Sequence, residues 1–194
     1  MSLTDDAREL AERMVAPLGR RWQHVKAVAS RAERLSAVVP EKDRETLVAA
    51  AWLHDIGYDP TIGHTRFHPL DGARYLREQG WPSAIVNLVA HHSGSRFEAI
   101  ERGLSGELRE FPTPDETLLD ALVCADLTTG PGGDPLTYEE RIAEILSRYG
   151  PDDPVHRTWL KVAPVVGESI TRTENRLSAQ IGLGTRAVKR VRNA

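Results

Sequence analysis

The residues with the clearest chemical potential are His54 and Asp55, an imidazole and a carboxylate at adjacent positions. They end an apolar run within the segment LVAAAWLHDIGYD, residues 47–59. Because a buried carboxylate is unfavourable without a partner, we expect the pair either to cap a helix or to hold a positive charge. Imidazole and carboxylate together are ligands of divalent first-row metals. A metal site is therefore the hypothesis that the rest of the chain must support.

Four more residues of these two types fall on or beside apolar helical faces in separate segments. His92 lies seven residues after Ile85, on the same face of its helix, and Asp126 lies on the apolar face of LLDALVCAD. His24 lies beside the apolar stripe of its helix, and His68 stands at the start of another. Each histidine taken singly is better explained as a core residue with a local hydrogen bond than as a metal ligand. With the doublet, however, the set has six members, too many for one tetrahedral zinc ion and suited to two adjacent ions bridged by the aspartate of the doublet.

The elements that position these residues are predicted to be helices, because apolar residues recur at three- and four-residue steps and no segment alternates like a strand. Helices are predicted over residues 3–16, 21–38, 43–55 and 155–178, and over the segments HPLDGARYLREQG, PSAIVNLVAHH, DETLLDALVCADLTTG and YEERIAEILSRYG. Residues 93–114 are polar and are predicted to be irregular. Pro164 is expected to bend the last helix. The predicted fold class is all-α, a helical bundle.

The length and the order of these segments predict one domain. A chain of 194 residues is long enough to bury a sizeable core. The domain is predicted to span residues 1–182, with the metal-binding core at 20–130 and C-terminal helices at 137–178. Residues 183–194 are basic and are predicted to form a flexible tail.

The composition narrows the classes of partner. The net charge of −3 gives no general electrostatic case for binding nucleic acid or an anionic membrane. Cys124 is the only cysteine, which rules out an intramolecular disulfide and fits a reducing compartment. The N-terminal MSLTDDARELAERM lacks the apolar core of a signal peptide, and no apolar run approaches the length that spans a bilayer. We expect a cytoplasmic protein with no nucleic acid or membrane partner, and its oligomeric state is left open.

The order His24, His54-Asp55 and Asp126 resembles the H…HD…D signature of the HD-domain superfamily of metal-dependent phosphohydrolases. The resemblance covers about residues 20–130 and implies an HD-domain-like helical bundle. The segments HPLDGARYL and VAHHSGS resemble further motifs of the two-metal branch of this superfamily. In motif terms the chain is most similar to the symmetrical dinucleoside-tetraphosphate hydrolases of bacteria.

The resemblance implies a dinuclear site of divalent ions, iron or manganese, with zinc, cobalt, nickel and magnesium as alternatives. The implied ligands of the first ion are His24, His54, Asp55 and Asp126, and those of the second are His68 and His92 with Asp55 shared. His91 is the alternative to His92, and His64 is the alternative to His68. These two alternatives stay open on sequence alone.

Two divalent ions would lower the pKa of a bridging water and supply hydroxide to attack phosphorus. Asp55, as the bridge, and Arg66, as a fixed cation for phosphate, are the residues predicted to take part in catalysis. Further candidates for substrate contact are Arg20, Arg21, Arg96, Tyr58 and Thr129. A solvated surface arginine, a packing tyrosine and a helix-capping threonine are the alternative interpretations of these side chains.

The predicted function is hydrolysis of a phosphoester or phosphoanhydride in a small phosphorylated molecule, expected to be a nucleotide. The motifs of three other branches of this superfamily are not matched. HHSGSRFEA differs from the cyclic-dinucleotide phosphodiesterases, HDIGYD differs from the alarmone hydrolases, and WQHVKAV differs from the mononucleotide 5′-nucleotidases. One alternative is a mixed-valent di-iron oxygenase, since the inositol and aminophosphonate oxygenases use the same scaffold and ligand set. Another is a non-enzymatic regulator that binds a nucleotide.

Overall fold

The backbone is helical along nearly its whole length in the structure, a computed structural model that describes residues 2–192 and the side chains of residues 2–180. The α-helices are α1 (Leu3–Val15), α2 (Arg20–Leu35), α3 (Arg44–Leu53), α4 (His68–Glu78), α5 (Ser83–His91), α6 (Ser95–Arg102), α7 (Ser105–Leu108), α8 (Glu116–Leu127), α9 (Tyr138–Arg148) and α10 (Pro154–Arg192). Within the described residues the only β-type pairing is an isolated bridge between Thr129 and Pro135. The predicted all-α fold class is confirmed.

Two predictions about individual segments are wrong. Residues 93–114, predicted to be irregular, contain α6 and α7, which bury Ala99 and Leu108 against the core. The last helix continues to Arg192 instead of ending at 178, with Pro164 inside it. The side chains of the predicted basic tail lie outside the described residues.

Helix α3 lies at the centre and carries the doublet at its C-terminal end. Its side chains are apolar on nearly every face, and it packs against α1, α2, α5 and α8. The run Ala49–Ala51 is fully buried, and such small side chains let neighbouring helices approach closely. The chain leaves α3 directly into His54 and Asp55, so both residues emerge in the middle of the molecule, 0% and 3% exposed.

A close backbone contact joins the turn after the doublet to α4. Residues Ile56–Tyr58 form a 3₁₀ turn against the start of α4. A Cβ atom added at Gly57 would overlap the carbonyl oxygen of His68 and lie 2.7 Å from the backbone nitrogen of Gly72. Glycine is required at position 57 because the two backbones touch there, and this contact places His68 beside the doublet.

Helix α8 is fixed at its start and along its length. The side chain of Asp115 caps its N-terminus by accepting from the backbone N–H groups of Thr117 and Leu118. Asp120 accepts from Arg172 and Arg176 of α10 at 2.6 to 2.7 Å. These contacts hold the inner face of α8, which carries Asp126, against α2 and α3. None of the described helices is both long and apolar enough to cross a membrane.

Candidate metal centre

Six side chains from five separate segments converge where α2, α3, α4, α5 and α8 meet. They form two groups of three, and within each group the potential ligand atoms lie within 4.8 Å of one another. The first group is His24, His54 and Asp126, and the second is Asp55, His68 and His92. All are buried except His68, which is partly exposed. The structure therefore brings together all six residues that the family resemblance implied as ligands.

Main-chain carbonyls fix the protonation of three of the imidazoles. Each of these rings points its Nδ1 atom at a main-chain oxygen. Nδ1 of His24 lies 3.0 Å from that of Gly130, Nδ1 of His54 lies 2.7 Å from that of Ala51, and Nδ1 of His92 lies 2.6 Å from that of Val89. A carbonyl oxygen can only accept a hydrogen bond, so each Nδ1 carries the proton and donates it. In a neutral ring the Nε2 atom then keeps its lone pair and directs it into the cluster. This is the arrangement that orients a histidine for metal binding.

The atoms that face each other in the cluster are mostly electron-pair donors. Nε2 of His24 lies 2.9 Å from Oδ1 of Asp126, and Nε2 of His68 lies 3.1 Å from Nε2 of His92. Nε2 of His54 is buried and has no hydrogen-bond partner among the described residues. Lone pairs at such distances repel unless a proton or a cation lies between them. The donor set and the unpaired His54 nitrogen both fit divalent metal ions.

Asp55 lies between the two groups, and each of its oxygens faces one of them. Oδ2 lies 3.6 Å from Nε2 of His54, while Oδ1 lies 3.4 Å from Nε2 of His68 and 4.0 Å from Nε2 of His92. A carboxylate in this position can bridge two ions. Oδ2 also accepts a hydrogen bond from Nη1 of Arg21 at 2.6 Å.

The shifted pKa values of four cluster residues favour the ionisation states that metal ligands need. Burial by itself raises the pKa of Asp55, but the neighbouring His54 ring, whenever it is protonated, and the guanidinium of Arg21 outweigh it and hold the pKa well below its usual value. Burial likewise raises the pKa of Asp126, but its close contact with Nε2 of His24 outweighs burial and holds the pKa well below its usual value. Burial lowers the pKa of His68 and of His92, so both rings are neutral at pH 7. Charged carboxylates and neutral imidazoles are the forms that bind metal.

Three side chains form a stack beside the second group. The ring of Tyr58 lies 4.0 Å from that of His68 between centroids, in a stacked orientation. The guanidinium carbon of Arg21 lies 3.3 Å from the centroid of the Tyr58 ring. Arg21 therefore contacts both Asp55 and Tyr58. Its positive charge is held at the edge of the six residues of the two ligand groups, which are called the metal residues below.

A cavity of about 340 Å³ opens over these residues. The arginines that line it are Arg20, Arg21, Arg66, Arg102, Arg141 and Arg148. Arg66 has a left-handed backbone with φ of 61°, in a loop held by Asp71, which accepts from the N–H and the hydroxyl of Thr65 at 3.0 to 3.1 Å. A small cavity lined with guanidinium groups next to metal ligands suits an anionic small molecule.

Three of the predicted site residues lie outside this cavity, and each makes other contacts. Nε2 of His91 donates to the main-chain oxygen of Phe111 at 2.9 Å, because the backbone breaks from helix at His92 and turns the two rings apart. Arg96 is exposed and lies over the ring of Phe97 in a different groove. The hydroxyl of Thr129 donates to the carbonyl of Ala125, so this threonine caps the end of α8.

The two candidates of the other histidine pair also lie in different places. His64 is exposed, whereas His68 joins the second group. Among the predicted substrate residues, Arg20, Arg21, Tyr58 and Arg66 all line the cavity.

Several cavity residues were not predicted from the sequence. Ser93 has a left-handed backbone with φ of 50°, and its hydroxyl donates to Oδ2 of Asp126. Glu98 is buried and pairs with Arg102. On α9, the arginines of the cavity lie seven residues apart, and this helical spacing in YEERIAEILSR was the signal available in the sequence.

The comparison with known families agrees with this geometry. A family model of the HD domain matches residues 21–151, which is more than half of the chain. The chain therefore belongs to the HD-domain family, as its motifs predicted. Proteins of this family are generally metal-dependent hydrolases. Comparison with curated proteins and with solved structures gave no match.

Proposed function

We propose that this protein is a metal-dependent phosphohydrolase that cleaves a phosphoester or phosphoanhydride bond in a small molecule, a nucleotide. The observation that carries the proposal is the pair of three-residue ligand groups with Asp55 between them, at the floor of an arginine-lined cavity. The family assignment supports the metal-dependent hydrolase class. The nucleotide is inferred from cavity residues that combine guanidinium groups for phosphate with aromatic rings, Tyr58 and Tyr149, for a base.

In this mechanism the protein's own residues bind, orient and neutralise. His24, His54 and Asp126 would hold one ion, and His68 and His92 the other, with Asp55 shared. When bound, two divalent ions supply hydroxide near neutral pH and offset charge on the phosphoryl oxygens. Arg66 and Arg21 would bind the oxygens of the phosphoryl group, which limits the reactive orientations. Ser93 donates to Asp126 and so holds that carboxylate in place.

The test begins with elemental analysis of protein purified without added metal, followed by a screen of phosphate esters and anhydrides with Mn²⁺ under anaerobic conditions. We expect His54→Ala and Asp55→Ala to lose bound metal and phosphate release while keeping a helical circular dichroism spectrum, because each removes a ligand of the cluster. His64→Ala is the matched control, since that histidine is exposed and outside both groups.

Full turnover in Asp55→Ala would overturn the proposal. Oxygen consumption by the iron-loaded, reduced protein, without phosphate release from any ester, would instead favour the oxygenase alternative.

A further inference from the structure

One wall of the cavity is formed by a single face of α9. Arg141, Ile145 and Arg148 all line the cavity, and their spacing of four and three residues places them on one side of the helix. Arg141 is only 7% exposed, and its Nε atom is buried with no hydrogen-bond partner among the described residues. A buried guanidinium with an unsatisfied donor is unfavourable unless a ligand accepts from it.

One carboxylate is shared between these two arginines. Nη1 of Arg141 lies 2.5 Å from Oε2 of Glu144, and Nε of Arg148 lies 3.3 Å from Oε1 of the same residue. Glu144 therefore holds both guanidinium groups in position but neutralises only one charge. The remaining positive charge lies at the cavity wall, where an anion can reach it.

This charge lies close to the metal residues but is not part of them. Asp126 of the first ligand group and Arg141 line the same cavity. Arg141 makes its ion pair with Glu144 and belongs to neither ligand group. The cavity therefore has two places for anionic groups, one at the metal residues and one at α9.

We propose that Arg141 and Arg148 form a second anion subsite, which binds a phosphate group of the substrate other than the one that reacts at the metal residues. The substrate is then a molecule with at least two linked phosphate groups, not a monophosphate ester. Guanidinium groups suit this task because their planar N–H donors pair with two phosphate oxygens at once. This inference rests on the proposed function, because it assumes that the first phosphate lies at the metal residues.

The test compares two probes, inorganic phosphate and tripolyphosphate, by calorimetric titration into the metal-loaded protein. A single phosphate ion binds either at the metal residues or at α9. Tripolyphosphate has linked phosphate groups, so one molecule can bind at both places in the cavity. We expect Arg148→Gln to weaken tripolyphosphate binding by about tenfold, the effect of one lost charge-assisted hydrogen bond, and to change phosphate binding by less than about twofold. Arg148 is the best position for this variant because its side chain is 36% exposed and its replacement leaves the core intact.

Two further variants sharpen the result. Glu144→Gln frees both arginines from their shared carboxylate, so we expect tripolyphosphate to bind several-fold more tightly, about the effect of one charge near a protein surface. Arg96→Gln is the matched control, because that arginine lies in another groove, and it should leave both affinities unchanged.

An equal effect of Arg148→Gln on both probes, or no effect on either, would overturn the subsite, as would weaker or unchanged tripolyphosphate binding in Glu144→Gln. These outcomes differ from failure of the proposed function, in which the wild-type protein binds no metal and releases phosphate from no compound in the screen. In that case the subsite fails together with the function on which it rests.

Discussion

At the scale of single residues, His54 differs from an ordinary core histidine in its second ring nitrogen. A buried histidine usually has protein partners for both nitrogens. Here His54 uses Nδ1 for a main-chain carbonyl, and its Nε2 is buried without a partner among the described residues. Leaving a buried acceptor unpaired costs about 1–3 kcal/mol. A bound cation removes that cost, so metal binding gains affinity from an orientation that the fold has already imposed.

Arg21 is the residue that competes most directly with a metal ion. Its Nη1 lies 2.6 Å from Oδ2 of Asp55, the oxygen that faces His54. We expect Arg21→Gln to tighten Mn²⁺ binding by about tenfold, because the substitution removes both a competing hydrogen bond and a repelling charge. Calorimetric titration of Mn²⁺ into chelator-treated protein measures this affinity. Weaker binding in the variant would mean that Arg21 serves mainly to hold Asp55 in its bridging position.

At the scale of elements, the contact between the turn at Gly57 and the start of α4 decides where His68 lies. We expect Gly57→Ala to destabilise the protein by about 1–3 kcal/mol, because the added methyl group overlaps the backbone of α4. The free energy of unfolding from urea denaturation measures the effect. The variant should also bind Mn²⁺ more weakly, since His68 must move with α4.

Gly106→Ala is the matched control for this substitution. A Cβ at Gly106 meets nothing closer than 3.9 Å, so the same chemical change should leave stability and Mn²⁺ affinity nearly unaltered. If the two variants behave alike, the close approach at Gly57 is not what positions α4.

The helices that could be predicted from the sequence are those whose buried face is apolar in the sequence itself. The run in α3 and the inner face of α8 satisfy this condition, and both were found as predicted. Helix α6 does not, because its one large aliphatic residue, Ile100, is 66% exposed, Phe97 is only partly buried, and its fully buried apolar residue is the small Ala99. A short helix that buries small side chains has almost no periodic signal.

The site could be predicted where its residues are adjacent in sequence to a helix end, and not where tertiary packing selects them. The choice of His92 over His91 depends on the backbone leaving the helix at His92, with ψ of 161°, a change that neighbouring residues do not reveal. Arginines on α9 look like a solvated face in the sequence. Only the packing of α9 over the cavity turns Arg141 inward.

At the scale of the whole molecule, the metal residues join five segments that are distant in sequence, so occupancy should affect global stability. Ligand that binds only the folded state at a concentration 100 times its Kd stabilises it by about 2.7 kcal/mol. We expect chelator treatment to lower the Tm by about 5–10 °C for a chain of this size. Differential scanning calorimetry with and without Mn²⁺ measures the shift. Asp55→Ala should have the same Tm with and without Mn²⁺. A wild-type Tm that does not change when Mn²⁺ is added would contradict a shared metal cluster.

The metal-free protein should also lose stability as the pH falls. Burial lowers the pKa of both His68 and His92 below their ordinary value of about 6.5, so the unfolded chain binds protons at these positions more readily than the folded chain does. Stability is therefore fully present above about pH 6.5 and declines below it, as the unfolded state takes up protons that the folded state rejects. The lowered pKa of Asp55 acts with the same sign, below about pH 3.9.

Urea denaturation of chelator-treated protein at about pH 7.5 and about pH 5.5 measures this loss of stability. Between these two pH values the loss comes from His68 and His92, because Asp55 contributes only below about pH 3.9. His92→Gln removes one of the two titrating rings, so its free energy of unfolding should change less between the two conditions than that of the wild type. His64→Ala should retain the full wild-type difference, because that substitution leaves both His68 and His92 in place. Equal stability of the wild type at both pH values would mean that His68 and His92 accept protons as easily in the folded state as in the unfolded state, contrary to the effect of their burial.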